Sequence, residues 1–146
     1  VTSIRTYPNG DLNMNPLQWH YWFQPRFSDF KRRVERLPFD QHFLKALVAL
    51  RPLLCTDGLE DEWANPWGCQ QTTEAVREVY TFLGVPEKVG NHYRQGGHEH
   101  NPEDWEALLD FSDYNFFGKA LPSDFYKENF EKVDSLIDWK SPVSLV

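Results

Sequence analysis

The sequence predicts an α/β fold in which two parallel strands are each followed by a helix. Residues 52–56 form a short apolar run bounded by turn residues, which is typical of a buried central strand. A second short strand is predicted over 88–95, with helix signals at 68–83 and after Asn101. The order strand, helix, strand, helix implies neighbouring parallel strands joined by a right-handed crossover, with helices flanking the sheet in three αβα layers.

Length, composition and charge narrow the class of protein. The 146 residues suit one domain or a part of a larger one, and 40% apolar with 16% aromatic residues provide ample core material. The net charge of -7 argues against nucleic acid as a partner, because phosphate binding needs a basic surface. No apolar run approaches the roughly 20 residues of a membrane span. The first residues lack a signal-peptide layout and a starting Met, so we expect a processed or truncated N-terminus.

Residues 1–36 carry the weakest secondary-structure signal of the chain, and we predict an irregular segment there. In this interpretation, the aromatic run Trp19–Phe23 packs against the core and holds the segment in place. The alternative is that these rings form a wall of a binding cleft. A helix is predicted over 38–50, with Pro38 in its first turn and an end near Arg51, the residue before a proline. Its apolar residues at helical spacing are Phe43, Leu44, Leu47 and Val48.

Three further helices are predicted. The helix over 68–83 ends at Gly84, and its predicted buried stripe is Val76, Val79, Tyr80 and Leu83. The next helix starts at Asn101 as N-cap and closes at Gly118. Its predicted buried side is Trp105, Leu108, Leu109 and Phe116. A last amphipathic helix is predicted over 123–139, capped by Ser123 and carrying Phe130, Val133 and Ile137.

The loops that follow the two strands carry the candidate chemistry. Asp61 follows the first strand and His98 follows the second, so both lie at the carboxyl edge of the sheet, where open α/β sheets bind ligands. An acid and then a histidine is the latter part of the Ser…Asp…His order of α/β hydrolases, in which the carboxylate orients the imidazole that takes the nucleophile's proton. Glu60 and Glu62 compete with Asp61 for the acid role. Two glycines directly before His98 allow a sharp turn that projects the ring.

The nucleophile of such a site is missing from this sequence. No Gly-x-Ser-x-Gly elbow occurs among its seven serines, which are Ser3, Ser28, Ser112, Ser123, Ser135, Ser141 and Ser144. Cys55 lies inside a strand, and Cys69 opens a helix without a nearby base; the two fix no compartment. A rival metal site at His92, His98, Glu99 and His100 lacks the i, i+4 helical spacing of a zincin, so we predict no metal.

Several segments in order resemble the glucuronoyl esterases of carbohydrate esterase family 15. They are Leu37-Pro-Phe-Asp-Gln-His42, Ala46-Leu-Val-Ala-Leu-Arg-Pro-Leu-Leu54, Gly58-Leu-Glu-Asp-Glu-Trp-Ala-Asn-Pro66, and Gly96-Gly-His98 with Asp104-Trp105. Trp19–Phe23 resembles the family's His-Trp-Phe segment, so that the match covers residues 19–117. The resemblance implies the C-terminal part of a single α/β-hydrolase domain. Within 1–146, residues 37–118 are the βαβα core and 119–146 a C-terminal extension.

The resemblance also implies an activity and roles for single residues. It implies cleavage of the ester between glucuronic acid on xylan and lignin alcohols by a Ser–His–acid triad, without a cofactor. His98 matches the base and Asp61 the acid, although family members can instead use a Glu on an earlier loop. Trp63 matches a tryptophan that lines the uronate pocket. The serine then lies in a preceding N-terminal half, which could be a separate chain, and the resemblance implies a secreted or periplasmic location.

Two alternatives stay open at this stage. The first is a related esterase that acts on acetylated xylan. The second is a non-catalytic carbohydrate-binding fragment that uses Trp63 and Trp22 as platforms for sugar rings. The choice between a glucuronoyl esterase and an acetylxylan esterase depends on substrate contacts from outside this sequence. Ester hydrolysis would distinguish either enzyme from a binding fragment.

Overall fold

A computed structural model describes residues 25–30, 33, 36–122, 124–133, 140 and 142. Its elements are a 3-10 helix at Pro25–Phe30, α1 at Gln41–Ala46, β1 at Leu53–Gly58, α2 at Pro66–Phe82, a 3-10 turn at Pro86–Lys88, β2 at Val89–Arg94 and α3 at Pro102–Phe117. β1 and β2 pair in parallel, from Leu53 opposite Val89 to Gly58 opposite Arg94. The predicted βαβα order is therefore confirmed, and both strands end at the same edge of the sheet. None of the helices in these ranges is long and apolar enough to cross a membrane.

The two long helices cover opposite faces of the strand pair. On the α2 side, a buried cluster of Val76, Tyr80 and Val89 packs against Leu53. On the α3 side, Ala107, Phe111 and Phe125 form a second cluster, which packs against Leu54. Successive residues of a strand point to opposite faces, so the division between Leu53 and Leu54 places one helix on each face. This arrangement is the predicted three-layer αβα architecture.

The first predicted helix is shorter than the sequence suggested. The Asp40 carboxylate accepts a hydrogen bond from the Gln41 amide at 2.6 Å, so the helix begins after Pro38 rather than with it. It docks on α2 through Lys45, whose buried ammonium donates to the Cys69 carbonyl oxygen and to the hydroxyls of Thr72 and Thr73. Because Lys45 faces inward, most of the predicted apolar stripe is exposed, namely Phe43, Leu44 and Leu47. After Ala46 the chain turns, with Leu50 at φ 56°, to enter β1.

The α2 helix forms where it was predicted, but its first residue and part of its predicted buried face differ. It starts at Pro66, two residues before the predicted start, because the Asn65 side chain accepts the Gly68 amide and caps it. Val76 and Tyr80 are fully buried as predicted, whereas Leu83 is exposed near the helix end. The helix ends before Gly84, whose φ of 76° is in the left-handed region that favours glycine.

The α3 helix has the predicted limits but buries a different face. Asn101 caps its start and Gly118, at φ 65°, closes it. Phe111 stacks edge-on against Phe125 at 5.4 Å between ring centroids, and this contact turns Ala107 and Asp104 inward as well. The predicted buried side is therefore wrong: the large side chains on the neighbouring face are exposed, namely Trp105, Leu108, Leu109 and Phe116.

The last predicted helix is absent from residues 124–133. Phe125 and Tyr126 form a turn, and the Phe125 carbonyl oxygen accepts the Asn91 amide at 2.8 Å, which holds this segment against β2. Two buried amide side chains of α2 then bind the backbone that follows. Gln70 contacts the amides of Asn129 and Phe130, and Gln71 contacts Glu131 and Val133. Ser123 and Ile137 lie outside the described residues, as does the aromatic run with Trp22.

Candidate active site

Two loops lie side by side at the carboxyl edge of the strand pair. The loop after β1 spans 59–65 and the loop after β2 spans 95–101. The Leu59 amide donates to the Arg94 carbonyl oxygen at 2.9 Å, and the Glu60 amide donates to that of Gly96 at 3.0 Å. Gly58 lies so close to the second loop that a Cβ there would be 2.5 Å from the Gly96 oxygen. These contacts fix the spacing between the two loops.

Asp61 and His98 meet across the two loops. His98 Nδ1 is 2.7 Å from Asp61 Oδ2, while Asp61 Oδ1 accepts the Ala64 amide at 3.0 Å. The Asp61 side chain is 8% exposed and the His98 side chain 70%. A carboxylate held in this way fixes the imidazole with its proton on Nδ1, which leaves Nε2 as the basic nitrogen on the open side. The structure thus brings the two predicted residues together, and their catalytic roles stay a prediction.

The other two acids of the first loop do not make this contact. Glu60 and Glu62 are both exposed, on either side of the buried Asp61. Of the three adjacent acids, Asp61 is therefore the one oriented toward His98. The sequence favoured Asp61 because of its distance from the turn glycine, and the loop geometry agrees with that preference.

Trp63 lies beside the imidazole of His98. Its ring centroid is 5.1 Å from that of His98, with an interplanar angle of 67°, and the side chain is 52% exposed. An exposed indole next to a candidate base can contact the flat apolar face of a sugar ring. The substrate-binding role of Trp63 stays a prediction.

A buried ion pair beneath the loops was not anticipated as part of the site. Arg94, the last residue of β2, donates from Nε to Asp104 Oδ2 at 2.6 Å, and both side chains are at most 3% exposed. Asp104 also accepts the Asn101 amide at 2.9 Å, which completes a capping box at the start of α3. The sequence predicted the helix cap but not the ion pair with Arg94. Arg94 lies in a strand ten positions before Asp104, and no local motif connects the two residues.

Burial changes the proton affinity of several groups around the site. It raises the pKa of Cys69 to about 12, so this thiol stays protonated and is unsuited to act as a nucleophile. Burial also raises the pKa of Asp57, which lies at the end of β1. For Asp104, burial alone would raise the pKa, but hydrogen bonds from the Asn101 amide and from Arg94 outweigh it and lower the pKa.

The histidines of the rival metal site contact different carboxylates. His92 Nε2 is 3.6 Å from Glu103, and His100 Nδ1 is 3.7 Å from Asp104, while His98 contacts Asp61. Within the part of the chain that the structure describes, no three side chains of His, Cys, Asp or Glu converge on one point suited to a metal ion.

The lowered pKa of Asp104 predicts a specific loss of stability in acid. The ionised carboxylate stabilises the fold above its unfolded-state pKa of about 3.9, and that contribution disappears as the pH falls through the lower folded-state value. We expect Asp104→Asn to lower the free energy of unfolding by about 3–5 kcal/mol at pH 7, because it leaves buried Arg94 without its counter-charge. The difference in the free energy of unfolding between wild type and Asp104→Asn should become smaller below about pH 4.

Urea unfolding at a series of pH values measures this dependence. Asp113→Asn is the matched control, because Asp113 forms a solvent-exposed ion pair with Lys119, and such pairs contribute about 0–1 kcal/mol. A constant difference between wild type and Asp104→Asn over the whole pH range would contradict the assignment.

Comparisons with known proteins agree with the fold and identify the family. The sequence pattern of the family described as fungal glucuronyl esterase matches residues 9–84. Carbohydrate esterase MZ0003 from an unknown prokaryotic organism is 33% identical over 115 residues, which are 68% of this chain and 27% of that protein. The 4-O-methyl-glucuronoyl methylesterase 1 of Wolfiporia cocos is 31% identical over 138 residues, which are 83% of this chain and 32% of that enzyme.

Solved structures give the same result. A carbohydrate esterase family 15 glucuronoyl esterase from Caldicellulosiruptor kristjansonii superposes with a TM-score of 0.71 at 38% identity, covering 73% of this chain and 28% of that one. The glucuronoyl esterase catalytic domain from Hypocrea jecorina gives 0.68 at 29% identity, covering 84% and 34%.

The parallel strands, flanking helices and paired acid and histidine loops define this chain as part of an α/β hydrolase. It belongs to the glucuronoyl esterase family, carbohydrate esterase family 15. The chain spans about a third of the length of these relatives.

Proposed function

We propose that this chain provides the base and the acid of a serine-type glucuronoyl esterase. The observation that carries the proposal is the 2.7 Å contact between buried Asp61 and exposed His98 at the carboxyl edge of the strands. In this mechanism, His98 Nε2 takes the proton from a serine hydroxyl as the serine attacks the ester carbonyl, and then returns it to the departing alcohol. Asp61 holds the imidazole in the required tautomer and stabilises its cation.

The serine and its oxyanion donors come, in this proposal, from a segment of the α/β hydrolase that precedes residue 1. Three features support such a division. No serine of this sequence lies in a Gly-x-Ser-x-Gly elbow, and the chain spans about a third of its relatives. The cavity between the two loops is only about 140 Å³, less than the roughly 300–1,000 Å³ of a complete ligand pocket. The remaining pocket walls would then come from the other segment.

The proposed substrate is an ester of 4-O-methyl-glucuronic acid on xylan, with a lignin alcohol as the leaving group. The relatives from Wolfiporia cocos and Schizophyllum commune are named as 4-O-methyl-glucuronoyl methylesterases, which supports the glucuronoyl part of this substrate, whereas the lignin alcohol rests on the family resemblance. Trp63 would contact the pyranose ring while His98 acts on the ester beside it, since the two rings are neighbours. A polymeric substrate in the plant cell wall implies that the enzyme works outside the cell.

Turnover by the full-length protein tests the proposal. We expect hydrolysis of the benzyl ester of 4-O-methyl-glucuronic acid and no release of acetate from acetylated xylan. His98→Ala should reduce hydrolysis to the residual level left by binding and the oxyanion hole, whereas His42→Ala, a change in α1, should retain activity. Release of acetate alone would favour the acetyl-esterase alternative. Binding of glucuronoxylan that is weakened by Trp63→Ala, without turnover of either ester, would favour a carbohydrate-binding fragment.

A further inference from the structure

We propose that Arg94 is a positioning residue, whose buried guanidinium holds the loop of 95–101 in the conformation that presents His98 to Asp61. The inference rests on the proposed function insofar as His98 is the base. The Arg94 side chain borders the cavity between the two loops but is only 3% exposed, and its guanidinium nitrogens point to Asp104 and to the loop. We therefore expect its effect on the reaction to pass through the loop.

The contacts of the guanidinium reach both ends of this loop. Nε donates to Asp104 at the start of α3, and Nη1 donates to the Gln95 carbonyl oxygen at 3.0 Å. Nη1 also reaches the Glu99 carboxylate at 3.4 Å, and Nη2 reaches the Gly97 carbonyl oxygen at 3.4 Å. Gly97 and Glu99 are the two neighbours of His98 in sequence. One side chain thus restrains the residues on both sides of the candidate base.

The anchor for these contacts is itself fixed. Asp104 accepts the Asn101 amide and is 2% exposed, so it cannot follow the arginine into another position. Gly96 adds a sharp turn at φ 97°, and a Cβ there would lie 3.2 Å from Arg94 Nη1 and 2.7 Å from the Glu99 carboxylate. The pair of Arg94 and Asp104 therefore joins the end of β2 to the start of α3, and the other contacts of Arg94 add the loop between them.

Only a guanidinium can make this set of contacts. Arg carries five N–H donors in a planar fork, whereas Lys offers one compact ammonium at the end of a flexible stem. Arg94→Lys should keep a positive charge beside Asp104 and therefore fold. It should lose the simultaneous contacts to the two loop carbonyl groups. The lysine variant therefore tests the positioning of the loop while a positive charge still neutralises buried Asp104.

The kinetic test uses the full-length protein and a glucuronate ester. We expect Arg94→Lys to lower kcat on the order of 10²-fold with little change in KM, because a displacement of about 1 Å at the base has effects of that size. Guanidinium ion at millimolar concentration should restore part of the kcat of Arg94→Ala, since it can occupy the vacated fork position. The matched control is Arg77→Lys, which alters an arginine packed over Tyr126 and paired with Glu74 on α2, and it should leave kcat unchanged.

A spectroscopic readout separates failure of this inference from failure of the proposed function. A histidine Nδ1 proton bonded to a carboxylate gives a far-downfield proton resonance, which does not depend on turnover. We expect this signal in wild type and Arg77→Lys, and its loss in Arg94→Lys. An Arg94→Lys protein with wild-type kcat and an intact signal would overturn the positioning role. If His98→Ala retains full activity, the proposed function fails, and the proton signal still reports whether Arg94 holds the loop.

Discussion

Replacing Asp61 with Asn is expected to lower kcat about 10⁴-fold, the scale seen when a triad acid loses its charge. Asn keeps the size of the side chain and an oxygen for the Ala64 amide, so the loop should retain its shape. Its NH₂ group, however, donates toward His98 Nδ1 where the carboxylate accepted. The imidazole then carries its proton on Nε2 and cannot take one from the nucleophile. Steady-state kinetics on a glucuronate ester, with the melting temperature measured in parallel, tests this expectation.

The neighbouring glutamates provide matched controls for Asp61→Asn. Glu60→Gln and Glu62→Gln remove the same charge from exposed positions of the same loop and should change kcat by less than about twofold, because screened surface charges contribute little. If Asp61→Asn retains kcat within about tenfold of wild type while the protein stays folded, another carboxylate orients His98. The candidate would then be the glutamate on an earlier loop that some family members use.

Replacing Gly58 with Ala is expected to lower kcat on the order of 10²-fold by forcing the two site loops apart. A Cβ at this position would overlap the Gly97 carbonyl oxygen and lie 2.5 Å from that of Gly96. Both obstacles are backbone atoms, so no side chain can rotate away to make room. Separation of the loops should also weaken the bond from the Glu60 amide to Gly96 and lengthen the contact between Asp61 and His98. Overpacking of this kind costs about 1–3 kcal/mol of stability.

Gly118→Ala is the control for a general effect of losing a glycine. Gly118 has a φ of 65°, and nothing lies within 4 Å of the position that a Cβ would take. Its replacement should cost about 1–2 kcal/mol of stability through backbone strain and leave kcat unchanged, because it lies at the far end of α3. Kinetics and urea unfolding of both variants distinguish the effects. A Gly58→Ala enzyme with wild-type kcat would mean that the spacing of the loops is not critical for the site.

Much of the site was predictable because its signals are local. A short apolar run that ends in Asp57 and Gly58 marked β1, and the glycines before His98 marked the end of β2. The parallel order of two such strands places their following loops at one edge, which is enough to bring Asp61 near His98. The Asn101 and Gly118 caps of α3 were predicted because a cap depends on residues within one turn of the helix end.

Tertiary structure decided which faces of the elements are buried. α1 docks through Lys45 rather than its apolar stripe, because the carbonyl and hydroxyl oxygens that accept from its ammonium belong to α2. Residues 124–133 are irregular, and Gln70 and Gln71 supply hydrogen-bond partners to the backbone of this segment in place of those of a helix.

The sequence by itself therefore determined the βαβα order, the family resemblance and the pair of loops that carry Asp61 and His98. The tertiary structure alone decided the inward face of α3 and the pairing of Arg94 with Asp104. The physical reason is the range of the interactions. Caps, turns and strand propensities act within a few residues. Burial of a helix face, or of a charge, depends on partners that the folded chain brings from distant positions.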